Sequence, residues 1–327
     1  MKLVVSIDVE EEGLFSGQYP ERDVPVENVP CLMKLDTLFR DQGIRPTLLI
    51  SYQAAAKPRL GEFLAGLKEL WGAEIGAHLH HWNTPPFEPS PYRQPVPSEL
   101  MSEDLLTAKL DTLIGTLQRM GSEPISFRMG RFNMGPRMFS VLQRSSIKVD
   151  SSVAPMRREY GGPDHIPAPT DPYYPDAADI RRPGGSRILE VPITVLPLIP
   201  RLGGLLERLE RRVGAREQTA RFAQYVGSVA IQPTALGPAR LRAASWEHQR
   251  RGGRLITLFF HSSELMPGGC REHATEHDVD RFLKKLGSYL SWLRGTLKAE
   301  SITLSEVMEA APAGSLPGRT LTGSAIL

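Results

Sequence analysis

Short apolar runs alternate with amphipathic segments along most of this chain, and this rhythm restricts the fold more than any other feature. The first run, KLVVSIDV at 2–9, is almost continuously apolar and rich in β-branched residues, as is typical of a strand buried on both faces of a parallel sheet. A segment with helical spacing follows at 31–44, and RPTLLIS at 45–51 then predicts a second strand. The alternation continues to 299–310 and predicts one α/β barrel in preference to two domains.

Two segments interrupt the alternation. Residues 160–200 are dense in proline and glycine and predict a long loop, of the kind that is usually functional or a lid. Residues 201–250 are Arg-rich and predict a helical insertion; a solvated helix pair covering an open side of the barrel is favoured over a polyanion or membrane patch. The barrel is therefore predicted over 1–312 with both segments inside it, followed by a flexible tail at 313–327.

The composition is that of an ordinary globular protein, with 41% hydrophobic and 23% charged residues among 327. Its formal net charge of +2 makes nucleic acid a poor candidate partner. The two cysteines, Cys31 and Cys270, are too few for a thiolate zinc site, so any metal must use histidine and carboxylate ligands. The N-terminal apolar run is too short for a signal peptide and no run reaches transmembrane length, so we expect a cytoplasmic location.

Acidic residues follow one face of the first predicted strand. Side chains of a strand alternate between faces, so Ser6, Asp8 and Glu10 point to one side. In a barrel, this strand directs both acids toward the rim where active sites form. Burying Asp8 in an apolar strand without a partner would be costly, which favours a functional role. Glu11 and Glu12 are interpreted as part of a solvated loop.

Three histidines lie within four positions of AEIGAHLHH at 73–81, which is predicted to be the third strand. The same alternation puts His78 and His80 on one face, about 7 Å apart along the strand, and directs His81 away. With a carboxylate from the first strand they form a three-ligand set that leaves a coordination position open for water. Zn²⁺ is the first expectation, and Fe²⁺, Co²⁺ and Ni²⁺ are compatible with the same ligands.

Polar residues also end three other predicted strands. Arg128 and Arg131 lie in SFRMGRF and are suited to holding a carboxylate or substrate, with a surface pair as the alternative. Asp150 ends the strand in VDSSV. His261 ends LFFHSSE, and histidine is well suited to proton donation near neutral pH. Polar groups at the ends of five apolar strands together predict an active site.

The motifs described above resemble those of the polysaccharide deacetylase family, carbohydrate esterase family 4. They occur in the family's order over nearly the whole chain. The similar stretches are SIDVE at 6–10, EIGAHLHHW at 74–82, SFRMGRF at 126–132, VDSSVAP at 149–155, RILEVPIT at 187–194 and LFFHSSE at 258–264. SIDVE is similar to the family branch reading D-x-E. LHHWNTPPF at 79–87 resembles a cytoplasmic-looking branch in which LHPW is followed by PPF.

The resemblance implies a distorted (β/α)7 barrel and a role for each matching residue. Asp8 would be the base and His261 the acid, with Arg128 orienting Asp8. The implied metal ligands are Glu10, His78 and His80. The family spaces its histidines four apart, but Trp82 stands four residues after His78, so His81 is the alternative to His80 as second histidine ligand.

The resulting hypothesis is a metal-dependent hydrolase that removes an acetyl group from an N-acetylated sugar or glycan precursor, acting on amide bonds other than peptide bonds. A lipid-linked or nucleotide-activated sugar is the expected kind of substrate. The alternatives are a hydrolase of a small cyclic amide or ureide on the same fold, an amidohydrolase-type barrel, and a barrel that binds glycan without turnover. HLH lies on the third predicted strand, not the first, which argues against the amidohydrolase alternative.

Overall fold

The computed structural model describes residues 1–14, 17, 19–22, 24–89, 91–92, 94–158 and 164–310. The predicted tail at 313–327 and residues 160–163 of the predicted loop lie outside this range. Within it the structure contains ten strands, which are β1 Lys2–Val9, β2 Thr47–Ser51, β3 Glu74–Leu79, β4 Ser126–Met129, β5 Val149–Asp150, β6 Leu189–Glu190, β7 Val195–Pro197, β8 Ser228–Ala230, β9 Leu255–His261 and β10 Glu300–Ser301.

Seven parallel strands form the central sheet in the order β9-β1-β2-β3-β4-β5-β6. The short β10 pairs with the first residues of β1, and β7 and β8 form a separate antiparallel hairpin. The described α-helices are α1 Asp36–Asp41, α2 Tyr52–Ala55, α3 Pro58–Trp71, α4 Glu103–Arg119, α5 Pro136–Gln143, α6 Leu202–Val213, α7 Arg216–Tyr225, α8 Pro238–Arg250, α9 Glu276–Thr296 and α10 Leu304–Ala310. None of them combines the length and apolar character needed to cross a bilayer.

The inside of the barrel changes from apolar to polar along β1. Val4 belongs to an apolar cluster with Leu49 and Leu189 that fills the lower interior, and Leu304 of α10 belongs to the same cluster. The next inward side chains on β1 are Ser6 and then Asp8, because strand residues alternate between faces. The outward residues of β1 instead join the larger cluster that includes the helices. Apolar packing therefore supports the polar end of the barrel from below.

The two edge strands of the sheet, β6 and β9, do not pair with each other. Thr194, four residues after β6, closes this seam by two hydrogen bonds with Thr257 of β9: its backbone N–H donates to the carbonyl oxygen of Thr257 at 3.1 Å, and its hydroxyl accepts from the backbone N–H of Thr257 at 2.8 Å. The β7–β8 hairpin and helices α6–α8 follow in the chain before β9 begins. The seam makes the barrel distorted and leaves room for the insertion beside it.

Two predicted strands are shorter in the structure than in the sequence pattern. β3 ends at Leu79, so His80 and His81 follow the strand instead of ending it. The apolar pattern of IKVDSSVA at 147–154 predicts a longer strand, but only β5, Val149–Asp150, is formed there. In both places the hydrogen bonding between strands ends where side chains begin to contact polar partners. The pattern of apolar residues does not predict such contacts.

Candidate metal centre

Three potential ligand atoms meet at the end of the barrel. Glu10 Oε2 lies 3.1 Å from Nε2 of His78 and 3.1 Å from Nε2 of His80, and these two nitrogens are 2.9 Å apart. In a tetrahedral zinc site with bonds of about 2.0–2.1 Å, neighbouring ligand atoms are about 3.3 Å apart. All three side chains are buried. Their spacing and chemistry therefore fit a small divalent ion that replaces the direct contacts between them.

Each histidine ring is held by its other nitrogen. His78 Nδ1–H donates to the carbonyl oxygen of Arg128 at 3.0 Å, and His80 Nδ1–H donates to Glu11 Oε1 at 2.7 Å. Trp82 stacks on the His80 ring, with 4.3 Å between centroids. These contacts leave both Nε2 lone pairs directed at the centre, which is how metal-binding histidines are commonly oriented.

The prediction that Glu11 belongs to a solvated loop is wrong. Its side chain is buried, and besides His80 it accepts a hydrogen bond from Asn83 Nδ2 at 2.5 Å. The chain turns after β1 ends at Val9, so strand alternation no longer determines which way Glu11 points. Glu12 is only partly buried and accepts a hydrogen bond from the backbone N–H of Asn28 at 3.0 Å. The signal that could have found Glu11 is its position directly after Glu10, at the end of a strand that directs Asp8 inward.

Opposite charges compensate for burial at the cluster. Burial by itself lowers the pKa of His80, but the neighbouring carboxylates of Glu11 and Glu10 outweigh it and raise that pKa to about 10. Burial raises the pKa of Glu10, yet the charge of His261 and hydrogen bonds with both histidines hold it well below its usual range. A bound divalent cation would take over the role of the histidine protons.

Asp8 lies beside the three-ligand cluster and is held by Arg128. Arg128 is fully buried and donates through Nη1 to Asp8 Oδ1 at 2.6 Å. Its remaining donors bind Ser6 Oγ at 2.9 Å and both the backbone carbonyl oxygen and the Oγ of Ser151, also at 2.9 Å. The second oxygen of Asp8, Oδ2, faces the cluster at 3.9 Å from His78 Nε2. The guanidinium thus fixes the carboxylate while leaving one oxygen toward the centre.

His261 approaches the same carboxylate from β9. β1 and β9 pair with Asp8 opposite His261, and His261 Nε2 lies 3.9 Å from Asp8 Oδ2 and 4.0 Å from Glu10 Oε1. Its Nδ1–H donates to Glu264 Oε1 at 2.7 Å. Burial lowers the pKa of His261, but Glu10, Glu264 and Asp8 together raise it to about 9. The imidazole is therefore protonated near neutral pH in this arrangement, and sequence patterning did not find Glu264.

The remaining predicted positions lie outside this cluster. His81 is buried and its Nε2–H donates to the carbonyl oxygen of Val96 at 2.5 Å, away from Glu10. The Arg131 guanidinium packs over the Tyr19 ring at 5.1 Å. Asp150 is buried beneath the site and accepts a hydrogen bond from Ser152, and burial raises its pKa to about 6. The structure thus brings together Asp8, Glu10, His78, His80, Arg128 and His261.

No family model matches this chain, and no curated protein matches it in sequence. Solved structures do match its fold. A presumed polysaccharide deacetylase from Mycobacterium smegmatis superimposes with a TM-score of 0.55 at 17% identity, covering 98% of this chain and 93% of that one. A presumed glycoside hydrolase/deacetylase from Parabacteroides distasonis gives a TM-score of 0.64 at 12% identity, covering 94% and 70%. These similarities confirm the predicted fold, a distorted (β/α)7 barrel of the polysaccharide deacetylase type.

A third match shows how far this fold extends. The 4-alpha-glucanotransferase from Thermococcus litoralis superimposes with a TM-score of 0.51 at 12% identity; the alignment covers 95% of this chain but 40% of that protein. Proteins named for different reactions therefore share the architecture. Because a fold hosts many chemistries, the reaction has to be argued from the side chains at the rim.

Proposed function

We propose that this protein belongs to the polysaccharide deacetylase family and is a metal-dependent hydrolase that removes an acetyl group from an N-acetylated sugar or glycan precursor. The observation that carries the proposal is the position of one carboxylate oxygen, Asp8 Oδ2, between a three-ligand cluster and the ring of His261. Amide hydrolysis needs a base near the attacking water and an acid near the departing nitrogen. Asp8 and His261 are positioned for these two roles.

The ion would be held by Glu10, His78 and His80, with Zn²⁺ preferred and Fe²⁺, Co²⁺ or Ni²⁺ also suited to these ligands. When bound, a divalent ion lowers the pKa of water and polarises a carbonyl group. Asp8 Oδ2 accepts the proton of the attacking water while Arg128 keeps the carboxylate in place. His261 gives its Nε2 proton to the amine nitrogen as the bond to the acetyl carbon breaks, so the products are acetate and a free amine. Glu264 orients the His261 ring through Nδ1.

Replacing Asp8 by asparagine tests the base directly. Asp8→Asn keeps an oxygen for the Arg128 hydrogen bond and leaves all three ligands in place, but an amide cannot accept the proton. Losing a positioned general base costs about 10²–10⁴ in rate. Acetate release is measured from N-acetylated sugar precursors and from an activated acetyl ester, with Zn²⁺ supplied. Asp111→Asn, at an exposed position of α4, is the matched control and should keep the parent activity.

His261→Ala separates the acid from the base. A sugar amine is a poor leaving group and needs a proton, whereas the alcohol of an activated ester does not. We expect a loss of about 10²–10⁴ with the amide substrate and a much smaller loss with the ester. Full activity of Asp8→Asn on both substrates would refute the mechanism. A Zn²⁺-loaded parent that binds glycan but hydrolyses none of the amides and esters would instead support the non-catalytic binding barrel.

A further inference from the structure

Exposed large apolar side chains are concentrated in residues 198–226. Of the thirteen exposed large hydrophobic residues in the described part of the chain, eight lie in this segment, which is under a tenth of the sequence. Leu205, Leu209 and Val213 lie on α6, and Phe222, Tyr225 and Val226 lie on α7 or directly after it. An apolar patch of this kind on a soluble surface marks an interaction site. We refer to residues 198–226 as the docking segment.

The exposed residues of α6 form one stripe. Leu205, Leu209 and Val213 are four residues apart, so they share a face of the helix, and they are 48%, 48% and 62% exposed. A different pair, Leu202 and Leu206, attaches the helix to the barrel. A helix pair that only covered an open side of the barrel, as predicted from the sequence, would direct its apolar residues inward. α6 has in addition a second apolar surface that is exposed to solvent.

The acidic residues of α6 and the arginines beside its apolar stripe lie on different sides of the docking segment. Glu207 pairs with Arg182, and Glu210 pairs with Arg158 at 3.0 Å, so both acids are held by arginines of the preceding loop. Arg208 and Arg212 come three residues after Leu205 and Leu209 and therefore flank the stripe. Neither forms an ion pair with any described residue. With six arginines against three glutamates, the segment has a net charge of +3.

A groove extends from this segment to Phe259, whose ring contacts His261 of the candidate site. It has a volume of about 840 Å³ and lies at the seam of the barrel, with Tyr225 and Val226 at one side and Phe259 of β9 at the other. The Phe259 ring packs edge-on against His261, with 5.7 Å between their centroids. An amphiphilic molecule held at the docking segment could therefore extend along a partly apolar path to the barrel rim.

We propose that the docking segment attaches the protein to an anionic lipid membrane, with the α6 stripe entering the boundary between headgroups and acyl chains. Apolar residues on one face and arginines beside them are the features that bind helices to such interfaces. Charge complementarity favours this partner over a second copy of the chain, because self-association would bring two faces of net positive charge together. Attachment to the membrane can be measured without turnover of a substrate, so its test does not depend on the reaction proposed above.

The test is sedimentation of the full chain with vesicles. We expect binding to vesicles of phosphatidylcholine mixed with phosphatidylglycerol, weak binding to phosphatidylcholine alone, and weaker binding at high salt. Arg208→Ala/Arg212→Ala should lower the affinity about thirtyfold, since each arginine near an anionic surface contributes about fivefold. Leu205→Glu/Leu209→Glu should abolish binding, whereas Leu70→Glu, at an exposed position of α3, should not. Circular dichroism checks that each variant is folded.

Three results would overturn the proposal. The first is a folded parent that binds neither kind of vesicle, and the second is a Leu205→Glu/Leu209→Glu variant that binds as well as the parent. The third is sedimentation velocity showing a dimer without vesicles that the same substitutions dissociate, which would make the segment an interface between two copies. Acetate release from a water-soluble substrate tests the proposed reaction separately, so either proposal can fail without the other.

Discussion

His80 and His81 are neighbours in the chain and have opposite electrostatic surroundings. His80 faces two carboxylates, which raise its pKa to about 10, while burial lowers the pKa of His81 to about 3. Only one of the two rings is therefore placed to share a cation with Glu10. The pair forms a natural control for ligand assignment, because the same substitution can be made one residue apart.

Substitutions in this pair test which histidine binds the metal. His80→Ala removes a ligand atom and should abolish tight Zn²⁺ binding, as should Glu10→Ala, whereas His81→Ala should retain most of it. Zn²⁺ affinity is measured by competition with a chromophoric chelator. Stoichiometric Zn²⁺ in purified His80→Ala, or equal losses in both histidine variants, would contradict the assignment.

Glu11 is expected to act on the metal through His80. Its carboxylate accepts the Nδ1–H of His80 and so fixes the ring and its tautomer. Removing such a partner typically costs 10–100-fold in metal affinity, so Glu11→Ala should weaken Zn²⁺ binding by about that factor. Glu11→Gln keeps an accepting oxygen and should restore much of the affinity. The same chelator competition measures both, and an unchanged affinity in Glu11→Ala would mean that the contact is only structural.

At the scale of residues, strand alternation predicted the direction of side chains within strands, but it did not find every buried site residue beyond them. Asp8 and His78 belong to β1 and β3, and alternation predicted their inward direction correctly. Glu11 and Glu264 follow the ends of β1 and β9, where backbone turns decide direction and the sequence pattern has no fixed period. His80 also follows a strand end, and its inward direction depends on contacts with Glu11 and Trp82 that patterning does not contain.

At the scale of elements, the helices and strands of the barrel were predicted well because each has a continuous apolar face. The amphipathic stretch RLGEFLAGLKELWG at 59–72 predicts a helix, and α3, Pro58–Trp71, lies within one residue of it. Gly72 caps the helix in a left-handed conformation with φ of 59°. The loop before β6 is different. It is attached by polar contacts such as those of His165, which the periodicity of apolar residues in the sequence does not predict.

His165 links three segments and makes their attachment dependent on pH. Its Nε2–H donates to the carbonyl oxygen of Met134 at 3.2 Å, and its Nδ1 accepts the backbone N–H of Ala154 at 3.3 Å. Burial lowers its pKa to about 4, while the unfolded chain titrates near 6.5. The unfolded state thus binds more protons between these values, so the stabilisation is complete above about pH 6.5 and is lost as the pH falls toward 4.

We therefore expect His165 to contribute a loss of unfolding free energy on the order of 3 kcal/mol between pH 7 and pH 4. His165→Gln does not titrate and should show a smaller decrease than the parent. The measurement is denaturant unfolding at several pH values in that interval. His277→Gln, at an exposed position of α9, is the control and should follow the parent curve. Identical pH dependence in His165→Gln and the parent would show that this ring is not the titrating group.

At the scale of the whole molecule, the barrel followed from the order of strands and helices, but the seam and the outward stripe of α6 did not. Local patterning reports that a helix is amphipathic and does not report which surface its apolar face meets. The seam depends on the length of chain inserted between β6 and β9, whose parts pair with each other as β7 and β8. Both features arise from tertiary packing.

Metal binding should stabilise the entire fold, because the proposed ligands come from segments 68 or more residues apart that meet only in the native barrel. A ligand that binds only the folded state adds about 2.7 kcal/mol when its free concentration is a hundred times Kd. Zn²⁺ should therefore raise Tm of the metal-free parent by several degrees in differential scanning calorimetry. The His80→Ala variant should show no such increase, and an equal increase in both would place the stabilising metal elsewhere.

The pairing of Asp8 with His261 makes the timing of synthesis relevant to activity. The proposed base, Asp8, is synthesised 253 residues before the proposed acid, His261. Domains fold as units during translation, and contacts of such long sequence separation form late. A ribosome-bound fragment ending before β9 would contain the proposed metal ligands Glu10, His78 and His80 without the proton donor. Nascent chains and prematurely terminated products would therefore be catalytically silent, even where they hold an ion.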